Sequence, residues 1–168
     1  MALAFALACG PATTPPVKRA HDAGARDGAA SGPVAVEIGT PDPQTGLDFV
    51  PLMPGGDVPL ETFGQGGTHA SLIIRCIGFG NRAFVDVTVQ NPEENTEVMT
   101  VPNVRPQLLA CDDKHPDTCD TQVVHVMTGG LADPTKKDGL AVHIVATVHN
   151  TAGQMATASQ DGVLRKNF

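Results

Sequence analysis

The sequence predicts an all-β fold, an antiparallel sandwich of about eight strands preceded by a disordered tether. Three observations predict it. From Val34 onward apolar residues recur at every second position, the mark of strands with one buried face. No run of about ten residues carries apolar side chains at helical spacing. Clusters of Gly, Asn and Pro separate the alternating runs at regular intervals, as they do where short strands are laid into two packed sheets.

Taken in order, Val34-Ala-Val-Glu-Ile38 opens the domain. Phe49-Val-Pro-Leu52 and Pro59-Leu-Glu-Thr-Phe63 are short extended pieces whose prolines suit sheet edges. The segment from His69 to Ile77 is the first long strand, with Ala70, Leu72, Ile74 and Cys76 on one face. Gly78-Phe-Gly-Asn81 is a turn signal leading into Arg82 to Gln90, where Ala83, Val85, Val87 and Val89 face inward and Asp86 and Thr88 outward. These two runs read as a hairpin. After the Asn91-Pro-Glu-Glu-Asn95 turn, Thr96 to Val101 and Val104 to Ala110 are weaker strands, and Gln122 to Thr128 is another. In Gly139 to Asn150, Val142, Ile144, Ala146 and Val148 alternate with His143, Val145, Thr147 and His149, the cleanest strand of the chain. Asn150-Thr-Ala-Gly153 is a hairpin loop with Gly available for positive φ; Met155 to Ser159 pairs back, and Val163 to Arg165 continues it.

This ending, a long strand, His149-Asn-Thr-Ala-Gly-Gln154 and a last strand, resembles the final hairpin of bacterial Ig-like and fibronectin-type domains. The resemblance covers the last thirty residues and implies an Ig-like sandwich over residues 33–168. The chain has no Trp for an antibody-type core, and the position facing Cys76 from the penultimate strand falls near Ala146, so the usual inter-sheet disulfide is not expected.

The N-terminus is a different kind of sequence. Residues 1–9, Met-Ala-Leu-Ala-Phe-Ala-Leu-Ala-Cys, are apolar without a break and have small neighbours around Cys9. A short apolar run closed by small residues is the tail of a secretory signal, and it is too short to span a bilayer as a helix, which takes about 20 residues. With a cysteine at the cut point it resembles the lipobox of bacterial lipoproteins. That resemblance implies a lipid on Cys9, residues 1–8 as a signal remnant, and Cys9 as the first mature residue. The family places Leu three residues before the cysteine, where this chain has Ala6, and a basic start where it has Met1, as a start codon set too late would produce. An apolar strand with a buried cysteine is the alternative. Gly10 after the cysteine, where Asp is absent, resembles lipoproteins sent to the outer membrane, on its periplasmic face or at the cell surface. Residues 9–32 are rich in Pro, Ala, Gly and Thr with few large apolar side chains, and read as the disordered linker. Phe63-Gly-Gln-Gly-Gly-Thr-His69, running into an alternating strand, resembles an opening found in lipoproteins of myxobacterial type, a group that supplies no functional residues to carry over.

Charge narrows the partners. Residues 33–168 hold eight Lys and Arg against sixteen Asp and Glu, a formal charge of −8. Nucleic-acid binding needs clustered cations, so no nucleic acid is expected. Tyr and Trp are both absent, which disfavours an aromatic sugar platform.

Three cysteines remain beyond Cys9. Cys111 and Cys119 flank the polar loop CDDKHPDTC, and export places them where disulfides persist, so a Cys111–Cys119 bridge is expected with Cys76 as a buried core thiol. Pairing of Cys76 with either loop cysteine is the alternative. Cys111, His115 and Cys119, with Asp112, Asp113 and Asp117 between them, also have the donor types of a zinc or copper site, provided that the thiols stay reduced. His143 and His149 share a face but stand roughly 20 Å apart in an extended strand. His125 could lie beside His143 and make a two-histidine site. Ser31, Ser71 and Ser159 lack a nucleophile-elbow context, and the loop pairs Glu93-Glu94 and Asp112-Asp113 read as solvated. No nucleophile, base and orienter set emerges, and no cofactor is implied. The sequence therefore reads as a non-enzymatic envelope lipoprotein. A lipid on Cys9 holds it to a membrane, and its sandwich presents loops or edges to an envelope protein or polymer. A periplasmic metal-binding protein using Cys111, His115 and Cys119 is the alternative.

Overall fold

The computed structural model describes residues 32–62, 67–92, 96–101, 107–127 and 137–166. Every regular element among them is a strand: β1 Ala35–Pro41, β2 Phe49–Pro51, β3 Gly56–Thr62, β4 Thr68–Ile77, β5 Arg82–Asn91, β6 Thr96–Val101, β7 Gln107–Leu108, β8 Ala110–Cys111, β9 Thr118–Asp120, β10 Val124–Met127, β11 Ala141–His149 and β12 Met155–Lys166. Cys9, the signal remnant and the linker up to residue 31 lie outside the described residues, as do residues 63–66 of the Gly-rich opening.

β4 organises one layer. Its C-terminal half pairs with β1 and with β9, its N-terminal half with β3 and with β10. β9 and β10 follow one another antiparallel to β4, offset by one residue around Thr121. There the Thr121 amide donates to the Ile74 carbonyl at 2.9 Å, and the Ile74 amide donates to Thr121 Oγ1 at 3.0 Å. β2 extends this layer beyond β1, and β8 extends it beyond β9. The second layer runs β3-β12-β11-β5-β6. β3 joins the layers, antiparallel to β4 over Leu60–Thr62 and parallel to β12 over Gly56–Leu60. The whole is a curled β-sandwich, and the curl brings β10 beside β6 at its far end.

The inward rows meet in the middle. Ala70, Leu72, Ile74 and Cys76 of β4, Ala83, Val85, Val87 and Val89 of β5, and Val142, Ile144, Ala146 and Val148 of β11 are all buried in one core. The alternation thus assigns the faces correctly, because a side-chain period of two leaves only one face to bury.

Two neighbour relations differ from the sequence reading. β4 and β5 do not form a hairpin: the chain crosses between the layers at Gly78 and Gly80, which hold φ of 76° and 77°. A Cβ at Gly78 would also lie 2.8 Å from the Pro33 carbonyl oxygen. Both strands bury one apolar row, and facing across the core satisfies that demand as well as pairing would. Second, the piece around Pro59 is not an edge strand, because β3 lies between β4 and β12. Pro59 is tolerated because the β4 pairing begins only at Leu60, so at Pro59 only β12 is paired. Among the described residues, the β3–β12 pair is also the exception to an otherwise antiparallel set of pairings.

The closing hairpin pairs Ala141 with Val163 through to His149 with Met155. Asn150 closes its loop, its Oδ1 accepting from the amides of Ala152 and Gln154 at 3.1 Å each, and Gly153 holds φ of 82°. β12 then runs unbroken to Lys166, so the two terminal pieces read from the sequence are one strand.

Candidate binding face and cysteine rung

The inward row of β4 leaves His69, Ser71, Ile73 and Arg75 on its outer face. Three side chains meet at the Arg75 end. The register places Glu37 of β1 and Asp120 of β9 on either side of Arg75. Arg75 donates from Nε and Nη2 to the two Asp120 carboxylate oxygens at 2.8 and 2.9 Å, and its guanidinium carbon sits 3.9 Å from the centre of the Phe49 ring. Hydrogen bonding to Asp120 raises the Arg75 pKa further, against a smaller opposing effect of burial. Gly39 makes the stack possible, since a Cβ there would lie 2.4 Å from a Phe49 ring carbon. A cavity of about 440 Å³ opens beside this ion pair, with Glu37, Ile77, Asp112 and His115 on its walls.

The other end of β4 carries a histidine cluster. Register sets Glu61 of β3 beside His69, and His125 of β10 beside Ser71. The His69 and His125 rings meet edge-on with centroids 6.1 Å apart. Ser71 Oγ lies 3.3 Å from His125 Nδ1, and Glu61 Oε2 lies 4.0 Å from the same nitrogen. Serine, histidine and carboxylate are thus together, yet not as a catalytic triad. A triad places nucleophile and orienter on opposite ring nitrogens, and here both approach Nδ1. Ser71 is also fully buried, with no path for a substrate carbonyl. The arrangement holds the His125 ring in place. Beyond it lies a cavity of about 390 Å³ walled by Gln107, Leu108, Gln122 and Val124. Leu108 is 66% exposed and Met127 58%, so two large apolar side chains stand in solvent near His125.

The sequence left open a His125–His143 pair as the lesser reading beside separate solvent-facing histidines, and the pairings keep the two apart. His143 lies on β11, where its Nδ1 is 2.7 Å from Asp161 Oδ1. His149, on the same strand face, stacks on Phe84 at 4.7 Å. The Glu61–His69–Ser71–His125 cluster escaped the sequence because it depends on which strands flank β4. The signal that existed was the polar outward row of β4 itself.

The next rung of the same sheet is made of cysteines. Cys111 of β8 and Cys119 of β9 are bonded, S–S 2.08 Å, with Cα atoms 3.9 Å apart. They sit directly opposite one another in the register, and the Asp112 amide donating to the Thr118 carbonyl marks the neighbouring hydrogen-bonded pair. Cys111 and Cys119 are therefore a non-hydrogen-bonded pair, whose Cα atoms approach more closely than the 5.5–6 Å common for disulfides. Closing a loop of sequence separation 8 contributes about 2.5 kcal/mol in the chain-entropy model. With both sulfurs in the bridge neither is a thiolate, so the Cys111, His115, Cys119 metal reading loses its two soft ligands. Among the described residues no group of three His, Cys, Asp or Glu side chains is arranged to hold a metal ion. Cys76 is a free, buried thiol, and burial, helped by the Asp120 charge, pushes it up to about 12. Its register partner on β9 is Cys119.

No family model matches the chain, and no curated protein matches it. Among solved structures, CopC from Methylosinus trichosporium OB3b shares 8% identity over 69% of this chain and 88% of that one, with a TM-score of 0.33. Murine CRIg shares 12% identity over 70% of this chain and 97% of that one, with a TM-score of 0.34. At scores this low the strand pairings alone carry the description of the fold.

Proposed function

We propose that the chain is a membrane-anchored lipoprotein of the cell envelope, held by a lipid on Cys9 to the outer membrane, whose sandwich is a non-catalytic binding module for an envelope protein or polymer. The observation that carries the binding role is the surface around His125. A histidine hydrogen-bonded to Ser71, with the Glu61 carboxylate 4.0 Å away, stands beside a cavity, with Leu108 and Met127 left in solvent near it. Exposed apolar side chains set among ordered polar groups are the composition of a recognition surface. The anchoring half rests on the apolar run ending at Cys9 and on the linker composition.

Site-specific photo-crosslinking in cells tests the binding half. A benzophenone side chain at position 108 is expected to give a discrete adduct, while the same probe at position 155, equally exposed on β12, gives none. His125→Ala should lower the adduct yield by about fivefold or more, the scale of a central interface residue. Equal adducts from both positions, unaffected by His125→Ala, would remove the assignment. For the anchor, Cys9→Ala expressed in the native host should abolish fatty-acid labelling and move the protein out of the membrane fraction. A variant that still sediments with membranes, from a parent that takes up no label, contradicts the lipid.

A further inference from the structure

The rung through Cys76 places three sulfur-bearing residues in one line. Cys76 of β4 pairs with Cys119 of β9, and Cys119 pairs with Cys111 of β8. On its β4 side Cys119 belongs to a hydrogen-bonded pair, since the flanking bonds run from the Gly78 amide to the Asp117 carbonyl and from the Thr121 amide to the Ile74 carbonyl. Such pairs hold their Cα atoms about 5.5 Å apart, within the Cα span of a disulfide. Their Cβ atoms stand wider than the roughly 3.5–4.5 Å it needs, so a bridge here requires the two strands to shift together. Cys119 thus has a cysteine as its register partner on each side, one bonded and one holding a thiol. Directly opposed residues project to the same face, so the three side chains form a row across the strands.

We infer that these residues form a sulfur relay, in which the bridge migrates from Cys111–Cys119 to Cys76–Cys119 and turns Cys111 into an exposed thiol that accepts an external disulfide. In the first step the Cys76 thiolate attacks Cys119 Sγ. A Cys76–Cys119 bond forms, the Cys119–Cys111 bond breaks, and the electron pair leaves on Cys111, which takes up the proton that Cys76 lost to solvent. No oxidant is consumed. Attacker and leaving group come from strands on opposite sides of β9, Cys76 from β4 and Cys111 from β8. In the second step the Cys111 thiolate attacks a small disulfide, keeps one half as a mixed disulfide and releases the other as a thiol. The exit is open because Cys111 is exposed, while Cys76 and Cys119 are fully buried. The migrated bridge also closes a loop roughly five times longer, which favours it in the unfolded-state entropy balance.

The resting state holds the relay shut. The Cys76 thiol is protonated and directed at the Ile74 carbonyl, 3.8 Å away. Charged groups on the flanking strands are Glu37 of β1, Arg75 of β4 and Asp120 of β9, which stand on the outer-face rung next to it. Exchange therefore proceeds through the small thiolate fraction, aided by opening of the short β8 and β9 strands.

The test uses the full chain with Cys9→Ser, so that three cysteines remain, incubated with oxidised glutathione at pH 7, 8 and 9. After acid quench and maleimide capping, peptide mapping should find glutathione on Cys111 together with a Cys76–Cys119 bridge. The rate should rise about tenfold per pH unit, as a thiolate far below its pKa dictates, and should be insensitive to low urea. In Cys111→Ser, the same reagent should close Cys76 to Cys119 within one molecule. The relay is overturned if Cys111–Cys119 stays the sole bridge at every pH, or if Cys76–Cys111 forms equally fast. A rate that tracks global unfolding in urea, or glutathione mixed disulfides on both remaining cysteines of Cys111→Ser, overturns it as well.

Discussion

Leu72→Ala is expected to lower the stability of the folded domain by about 2–5 kcal/mol, the range for emptying a close-packed site. Leu72 is fully buried at the centre of β4, between Ala70 and Ile74 on the core face, and opposite Val124 of β10. β4 is the strand on which β1, β3, β9 and β10 converge, so its neighbours are fixed by ladders on both edges and cannot slide inward to fill the space. The loss thus includes the cavity as well as the transfer of the removed carbons. Leu72→Met keeps the volume and should cost less than about 1.5 kcal/mol. Denaturant melts of the two variants, with slope unchanged from the parent, measure both numbers. A loss below about 1 kcal/mol for Leu72→Ala would mean that the two layers do not close over this position.

The same strand shows how far the sequence reaches. Alternation in His69 to Ile77 decides which side chains are buried, because a one-residue slip would turn the whole apolar row to solvent. It is silent on which strand lies at each edge. β9 escaped because Thr118–Asp120 sits in a polar loop and owes its extended form to pairing with β4 and to the bridge, not to its own alternation. With β9 missing, Cys76 could be recognised as a core thiol, and its nearness to a loop cysteine stayed an alternative that nothing singled out as Cys119. With β10 free to be laid against any strand, His125 could be set beside His143, when pairing with β4 puts it beside Ser71. Ile73 makes the point from the opposite side. It lies on the outer face yet is fully buried, beside Gly39, where Phe49 folds over the sheet. That cover comes from the β1–β2 hairpin, which a reading of β4 alone does not contain.

Stability should fall as the pH rises from 9 toward 12, and Cys76 should be the cause. Its ordinary value of 9.0 is raised to about 12 in the fold, first by burial and then by the Asp120 charge. Below pH 9 the thiol keeps its proton in both folded and unfolded chains, and the difference contributes nothing to the pH dependence. Above pH 9 the unfolded chain releases the proton while the folded one retains it, so the unfolded state gains about 1.4 kcal/mol per pH unit. By pH 10.5 the loss reaches about 2 kcal/mol, and it levels off only above pH 12, where the folded thiol ionises as well. The chain has no Tyr, so apart from lysines no other side-chain class is expected to titrate strongly in this window. Cys76→Ala removes the effect: it begins less stable than the parent at pH 7 through lost packing, and the gap should close or reverse by pH 10.5. Rapid denaturant melts at each pH, with an acid quench to confirm the Cys111–Cys119 bridge, read the difference between parent and variant. Parallel profiles for the two proteins would show that the thiol titrates alike in both states. The buried rung would then be open to water, contrary to a Cys76 and a Cys119 that are both fully enclosed.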